Sequence, residues 1–365
     1  MYNWQMKQWA EFVYDEKIVN ENAFRFAGLA GEIFGVFKTF SSEKQKNETL
    51  ALMVSEAVKT SEIEGEKVSR EDVRSSFLEK TGPGATTQKI KDKRAGNVAL
   101  LMLEVRNSFR EKLGEKMLKR WHAVLFAGDR FVHAGAYRKN KEPMQGVSGF
   151  FGAGKVHYEA PPAERVPAEV RNFVKWFNAF RSGGNVTKAI IRTAIAHLYF
   201  ESIHPFEDGN GRLGRALIEK SLSQSFGRQL LMRVSRTIEK NRKQYYAELK
   251  KGSATLEING WLLYFSQLLI DAQQDALATL EFSVKKAHFF DRHKGTLNVR
   301  QTKVVSKMLD AGQEGFAGGM TARKYISITQ TTKPTATRDL QGLVECGVFS
   351  QYLAGKNTYY GILRE

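Results

Sequence analysis

Helical patterning dominates the chain. Leu50, Leu52, Val54, Ala57 and Val58 give a mixed apolar face behind the polar run 41–48, which predicts a helix there. Ser69-Arg-Glu-Asp72 reads as a capping box that opens a second helix, with Asp72 reaching back to the cap. Residues 81–87, Thr-Gly-Pro-Gly-Ala-Thr-Thr, break the pattern, and an apolar helix resumes over 97–105. From Phe131 to Pro162, many glycines, several aromatics and two adjacent prolines predict an irregular or hairpin segment. Helices are expected over 166–180, 187–200, 212–222, 240–249 and 261–277. The stretch 187–200 is rich in Ala, Ile and Leu, so it should be buried on most sides. Composition changes near 291–296. Beyond it come three short helices (301–309, 321–326, 335–344) and two strand-like runs (348–353, 358–363) around the turn Ala354-Gly-Lys-Asn357. Three helices and a hairpin are the order of a winged helix-turn-helix.

At 365 residues the chain is long enough for two or three domains. Its 42% hydrophobic and 26% charged fractions are ordinary for a soluble globular protein. No apolar run approaches the ~18–20 residues that cross a bilayer, so no membrane role is expected. The opening Met1-Tyr-Asn-Trp-Gln lacks the basic and apolar segments of a secretion signal. A single cysteine, Cys346, excludes an intramolecular disulfide and fits a reducing cytoplasm. The formal charge of +17 favours polyanions such as nucleic acid, acidic proteins or nucleotide phosphates, although charge alone names no partner.

Chemistry concentrates in His204-Pro-Phe-Glu-Asp-Gly-Asn-Gly-Arg-Leu-Gly-Arg215. His204 titrates near neutrality and can accept a proton from a nucleophile. Asp208 offers hard oxygen to magnesium, an ion that bridges to phosphates. Gly209, Asn210 and Gly211 allow tight curvature and leave backbone N–H groups open to an anion. Arg212 and Arg215 sit at the mouth of the next helix, where the helix end already attracts anions. The same stretch satisfies the dinucleotide fingerprint G-x-G-x-x-G, but what precedes it is too long and alanine-rich for the required strand. Gly149-Phe-Phe-Gly-Ala-Gly-Lys155 nearly matches a P-loop, but Val156 stands where Ser or Thr should hold magnesium. A plain turn does not call for a histidine, an acid and two arginines around three glycines.

At these residues the sequence resembles the Fic family, whose motif H-x-F-x-[DE]-G-N-G-R-x-x-R is matched at every fixed position. Ala194-Ile-Ala-His-Leu-Tyr-Phe-Glu-Ser-Ile203 also resembles the family's approach helix. The resemblance implies a mainly α fold: a Fic helical bundle with a short β-hairpin flap, an N-terminal helical domain and a C-terminal winged helix-turn-helix. The corresponding domains are 1–91, 92–285 and 291–365. It implies a protein adenylyltransferase that moves AMP from ATP to a Tyr, Thr or Ser hydroxyl of a protein target, with Mg2+. His204 would deprotonate the hydroxyl and Phe206 would anchor the loop. Asp208 would hold the metal. Gly209, Asn210, Gly211 and Arg212 would bind phosphates, and Arg215 would reach the γ-phosphate. Asn241 and Tyr245 would border the adenine and ribose, and 144–158 would be the flap that holds the target by strand pairing.

Thr60-Ser-Glu-Ile-Glu-Gly65 matches the inhibitory pattern [ST]-x-x-x-E-[GN] of class II members. By resemblance, Glu64 would pair with Arg215 and occupy the γ-phosphate position. Thr60 would sit near the nucleotide or hold its helix in register. Some members also remove AMP, with this glutamate positioning water, and Glu64 leaves that reading open. A rival class is a DNA-binding regulator whose Fic core senses nucleotide; the intact His204 and Asp208 argue against it, because a sensor needs neither. For the tail, with Arg338 toward a groove and Leu340 and Leu343 in the core, protein contact or homodimerisation is favoured slightly over DNA.

Overall fold

The computed structural model describes residues 1–81, 90–140, 144–148, 155–312, 315–353, 355 and 358–363. Most of the break at 81–87, most of the near P-loop at 149–155, part of the flap and most of the turn at 354–357 therefore lie outside the described residues. The chain divides into two compact units, Met1–Leu277 and Ala278–Glu365.

The first unit is helical. It contains α1 (Asn20–Lys38), α2 (Ser42–Ile63), α3 (Arg70–Thr81), α4 (Lys93–Asn107), α5 (Glu115–Leu125) and α6 (Val166–Ala179). After these come α7 (Val186–Ile203), α8 (Asn210–Phe226), α9 (Val234–Lys240), α10 (Arg242–Gly252) and the part of α11 (Asn259–Arg292) that ends at Leu277. An antiparallel hairpin, β1 (Gln145–Ser148) with β2 (Lys155–Glu159), falls within the glycine-rich stretch.

α7 is the central strut. Asn185 caps it by accepting the Lys188 N–H at 2.9 Å, and every residue from Ala189 to Ile203 is buried. The reason is composition: apolar groups cover most of its circumference, so it lies between two cores. Ala196, Tyr199, Phe200 and Ile203 join one apolar cluster; Ile190, Ile191, Ala194, Ile195 and Leu198 join the other. Truncating a side chain such as Phe200 to alanine would cost about 3–5 kcal/mol through lost burial and a cavity.

The capping box at α3 is only half formed. Ser69 Oγ accepts the Asp72 N–H at 3.2 Å, but the Asp72 carboxylate does not return to the cap. It accepts the N–H groups of Lys91 and Asp92 at 3.3 and 3.0 Å, pinning the chain where α4 begins. An aspartate is short, and two long-range donors outcompete the one local donor.

The N-terminal arm packs beside the end of α7. Asn3 donates to Ser202 Oγ at 3.0 Å, and Trp4 Nε1 donates to Glu159 O at 2.7 Å. Tyr158 adds a hydroxyl bond to Ser202 O.

The second unit contains α12 (Val299–Leu309), α13 (Ala322–Thr329), α14 (Lys333–Glu345) and the antiparallel pair β3 (Phe349–Tyr352) and β4 (Tyr359–Ile362). Val304, Met308, Tyr325, Leu340, Leu343 and Phe349 are among its core residues. Asp339, only 5% exposed, accepts from Arg300 at 2.7 Å, Tyr325 at 2.9 Å and Asn298 at 3.2 Å, which ties the three helices together.

Candidate active site

α7 stops because the chain turns left-handed at His204, with φ 49° and ψ 62°. That region costs a non-glycine residue about 1–3 kcal/mol unless its surroundings impose it. Arg138 does so. Its Nε donates to His204 O at 2.8 Å, its Nη2 donates to Pro161 O and Ile203 O, and its own N–H donates to Pro205 O at 3.0 Å. Arg138 is 2% exposed. Nothing in the glycine-rich stretch singles out this one arginine as buried, so sequence reasoning passed over it.

The loop is held from below by Phe206, which is fully buried and stacks on His122 at 4.1 Å between ring centroids. His122 Nδ1 accepts the Gly135 N–H at 2.9 Å, so the ring proton sits on Nε2 and points at Asp208 O, 3.2 Å away. Burial pushes the His122 pKa down to about 4, which keeps this spacer neutral. Asn210 closes the turn: Oδ1 accepts the Phe206 N–H at 3.0 Å and Nδ2 donates to Phe206 O at 2.8 Å. Its side chain is thus committed to the loop, and only its backbone N–H faces outward service.

Gly209 adopts φ 78°, and a Cβ there would lie 2.6 Å from the Phe126 ring, so no other residue fits. The first intrahelical bond of α8 runs from Leu213 N to Gly209 O at 3.0 Å. The N–H groups of Asn210, Gly211 and Arg212 therefore precede the ladder of the helix, which is the geometry of an anion site.

A carboxylate of the chain already lies there. Glu64, at the C-terminal end of α2, places Oε1 2.7 Å from Arg215 Nη2. A Cβ on Gly211 would collide with the same oxygen. Arg215 also donates from Nε to Thr60 Oγ1 at 2.7 Å and from Nη2 to Thr60 O at 3.0 Å. Burial raises the Glu64 pKa, but Arg215, then Arg212 and His204, outweigh it and hold the carboxyl below its ordinary value. Arg212 lies over the Phe126 ring at 5.0 Å and donates to Glu66 at 2.8 Å. Glu66 was not anticipated.

The His204 side chain keeps 24% exposure. Desolvation and then the Arg138 charge push its pKa down to about 4, so it stands neutral at pH 7 and free to take a proton. Asp208 is 54% exposed and 3.5 Å from Arg212 Nη2. Among the described residues no three His, Cys, Asp or Glu side chains cluster to hold a metal on their own. A single accessible carboxylate suits magnesium, which takes most of its ligands from water and phosphate.

Asn241 is exposed at the α9–α10 junction, where its O accepts the Tyr245 N–H at 3.1 Å. Tyr245 is 1% exposed, and its hydroxyl is bonded to His197 Nε2 at 2.7 Å. Its neighbour Tyr246, 40% exposed and within electrostatic reach of Glu64 and Arg215, is the tyrosine on the open side. Tyr245 also lies within electrostatic reach of Glu64, Arg215 and Glu201. The enclosed space beside Thr60, Arg212 and Arg215 is about 60 Å3. Ligand pockets run to at least ~300 Å3, so a nucleotide needs the open side of the loop. No helix among the described residues is long and apolar enough to cross a membrane.

Comparison with known proteins adds to this geometry. Residues 112–222 match the family model described as Fic/DOC family, and residues 2–82 match a domain of unknown function, DUF4172. A protein of Aquifex aeolicus named as a probable protein adenylyltransferase is 40% identical over 68 residues, 19% of this chain; the match spans only 20% of that protein's length. The solved structure of a Fic family protein from Desulfovibrio desulfuricans superposes over 94% of this chain and 96% of its own, with a TM-score of 0.53 and 17% identity. A Fic domain containing signaling protein from Bacteroides thetaiotaomicron superposes over 69% of this chain and 97% of its own, with a TM-score of 0.53 and 18% identity. At these identities the likeness is one of fold.

Proposed function

This chain carries a Fic/DOC family domain, and from that premise we propose that it transfers AMP from ATP to a Tyr, Thr or Ser hydroxyl of a protein target and restrains itself through Glu64. The observation that carries the reading is the Glu64–Arg215 contact of 2.7 Å at the N-terminus of α8. A carboxylate held against a helix end and a buried guanidinium occupies the place a terminal phosphate would take.

With Glu64 withdrawn, the N–H groups of Asn210, Gly211 and Arg212 and the two guanidinium groups would hold the phosphate chain. Asp208 would hold a magnesium ion, which neutralises phosphate charge. Asn241 would border the base, with Tyr245 fixing the helix beneath it. The neutral imidazole of His204 would take the hydroxyl proton as the oxygen attacks the α-phosphorus. Such transfer depends on positioning and charge neutralisation more than on covalent help from the protein. The hairpin of β1 and β2 would pair with an extended segment of the target.

For the chain as a whole, residues 1–91 would be the domain that delivers the inhibitory helix, 92–285 the catalytic core and 291–365 a winged helix-turn-helix used for protein contact. The order of three helices and a hairpin in the second unit supports the winged helix-turn-helix reading.

The test is incubation of a cell extract with the Glu64→Gly protein, ATP and magnesium, read by mass spectrometry. The expected result is one AMP increment on a hydroxyl residue of a target, absent when His204→Ala replaces the active form. Labelling that persists in His204→Ala, with ATP binding intact, would remove the base from the mechanism.

A further inference from the structure

α7 carries an ionisable side chain one turn before His204. Glu201 is 7% exposed, and among the described residues its Oε1 has no hydrogen-bond partner. Its Oε2 lies 3.8 Å from His204 Nδ1, an ion-pair distance, and the same ring edge faces Glu201 O at 3.4 Å. On its other side the carboxyl presses on α8: a Cβ at Gly214 would collide with Oε1. A carboxyl is thus wedged between the imidazole and α8 with acceptor capacity unused. Buried carboxyls in that condition are costly and call for a role.

We propose that Glu201 is a positioning residue that holds the Nδ1–H edge of His204 and, once ionised, offsets the charge His204 gains on taking the target's proton. The inference rests on the reading of His204 as the base. In that step the hydroxyl proton moves to Nε2, the oxygen bonds to the α-phosphorus, and the bond to pyrophosphate breaks. The positive charge left on the ring then lies beside a carboxylate in a site with little water, where such a neighbour counts most.

The groups around Glu201 set when it ionises. Burial dominates and pushes its pKa up to about 8; Arg215 on α8 opposes that rise and Glu64 on α2 adds to it. Tyr245 and Tyr246 on α10 and Tyr158 on β2 face it as neutral phenols. His197 and His204 on its own helix are also held neutral by burial. The acid is therefore mostly neutral at pH 7 and ionises as pH rises, and removing Glu64 moves that ionisation downward.

The experiment uses the full chain carrying Glu64→Gly, with and without Glu201→Gln, and follows AMP transfer from labelled ATP against pH. Glutamine keeps the shape of the neutral acid. The rate at saturating ATP should rise roughly 10-fold from about pH 6 to about pH 9 in the parent and stay flat in Glu201→Gln, with the two equal at the acid end. The KM for ATP should be unchanged, and Glu201→Asp should restore part of the rise. Parallel profiles for Glu201→Gln and the parent, or an effect confined to KM, would overturn the proposal. His204→Ala in the same background separates the two ideas. If it labels like the parent, the base reading fails; if it is silent while Glu201→Gln tracks the parent, only Glu201 is misassigned.

Discussion

Replacing Glu64 with glycine removes a carboxylate that bonds a buried guanidinium at 2.7 Å. A hydrogen bond to a charged group contributes about 1.5–3 kcal/mol net. The Glu64 side chain is 26% exposed, so water screens it and the lower part of that range applies. About 1.5–2 kcal/mol corresponds to roughly 10–30-fold in competition with a phosphate for Arg215. AMP transfer at ATP concentrations below KM should therefore rise by that factor in Glu64→Gly, and by less in Glu64→Gln, which keeps the shape without the charge. Stability should move the opposite way, because among the described residues Arg215 then keeps hydrogen bonds to Thr60 alone. Glu64 has a lowered pKa, so its contribution is complete above the ordinary carboxylate range and fades as pH falls through the depressed value. The difference in thermal midpoint between the parent and Glu64→Gly should then be complete near pH 6 and vanish in acid. Initial rates with labelled ATP, and melting curves across pH, measure both. Equal transfer by Glu64→Gly and the parent at low ATP would refute the reasoning, since the contact would then restrain nothing.

Two further outcomes can be measured alongside. Arg138→Ala strips donors from three buried carbonyls that fix the His204 turn; it should cost about 2–4 kcal/mol in denaturant unfolding and lower transfer more than ATP binding. Asp339→Ala should lower the first step of thermal unfolding, reported by signals from the second unit, because it leaves Arg300, Tyr325 and Asn298 without their shared acceptor. Asp339 is raised by burial but lowered further by Arg300, Tyr325 and Asn298, so the parent should lose this advantage over the variant as pH falls below the normal aspartate range.

Taken alone, the sequence determined many of the helices, because periodicity and caps are local properties, while α1 and α5 went unmarked. The run 187–200 announced a helix buried on most sides, and α7 is buried from Ala189 to Ile203. It also determined the chemistry of the loop: a histidine, an acid, three glycines and two arginines within twelve positions admit few other uses. What the tertiary structure decided is who meets whom. Glu64 and Arg215 stand 151 positions apart, a separation at which only folding, and not spacing, makes a contact. The same holds for Arg138 over His204 and for Asp72, which left its local cap for Lys91 and Asp92. Neighbouring positions carried their own ambiguity. Tyr245 and Tyr246 are adjacent on one helix, 100° apart by geometry, and only the packing of α10 determined that the first is buried on His197 and the second stays exposed. A residue type states what a side chain is able to do; burial and the partner across the gap, both consequences of the whole fold, decide what it does.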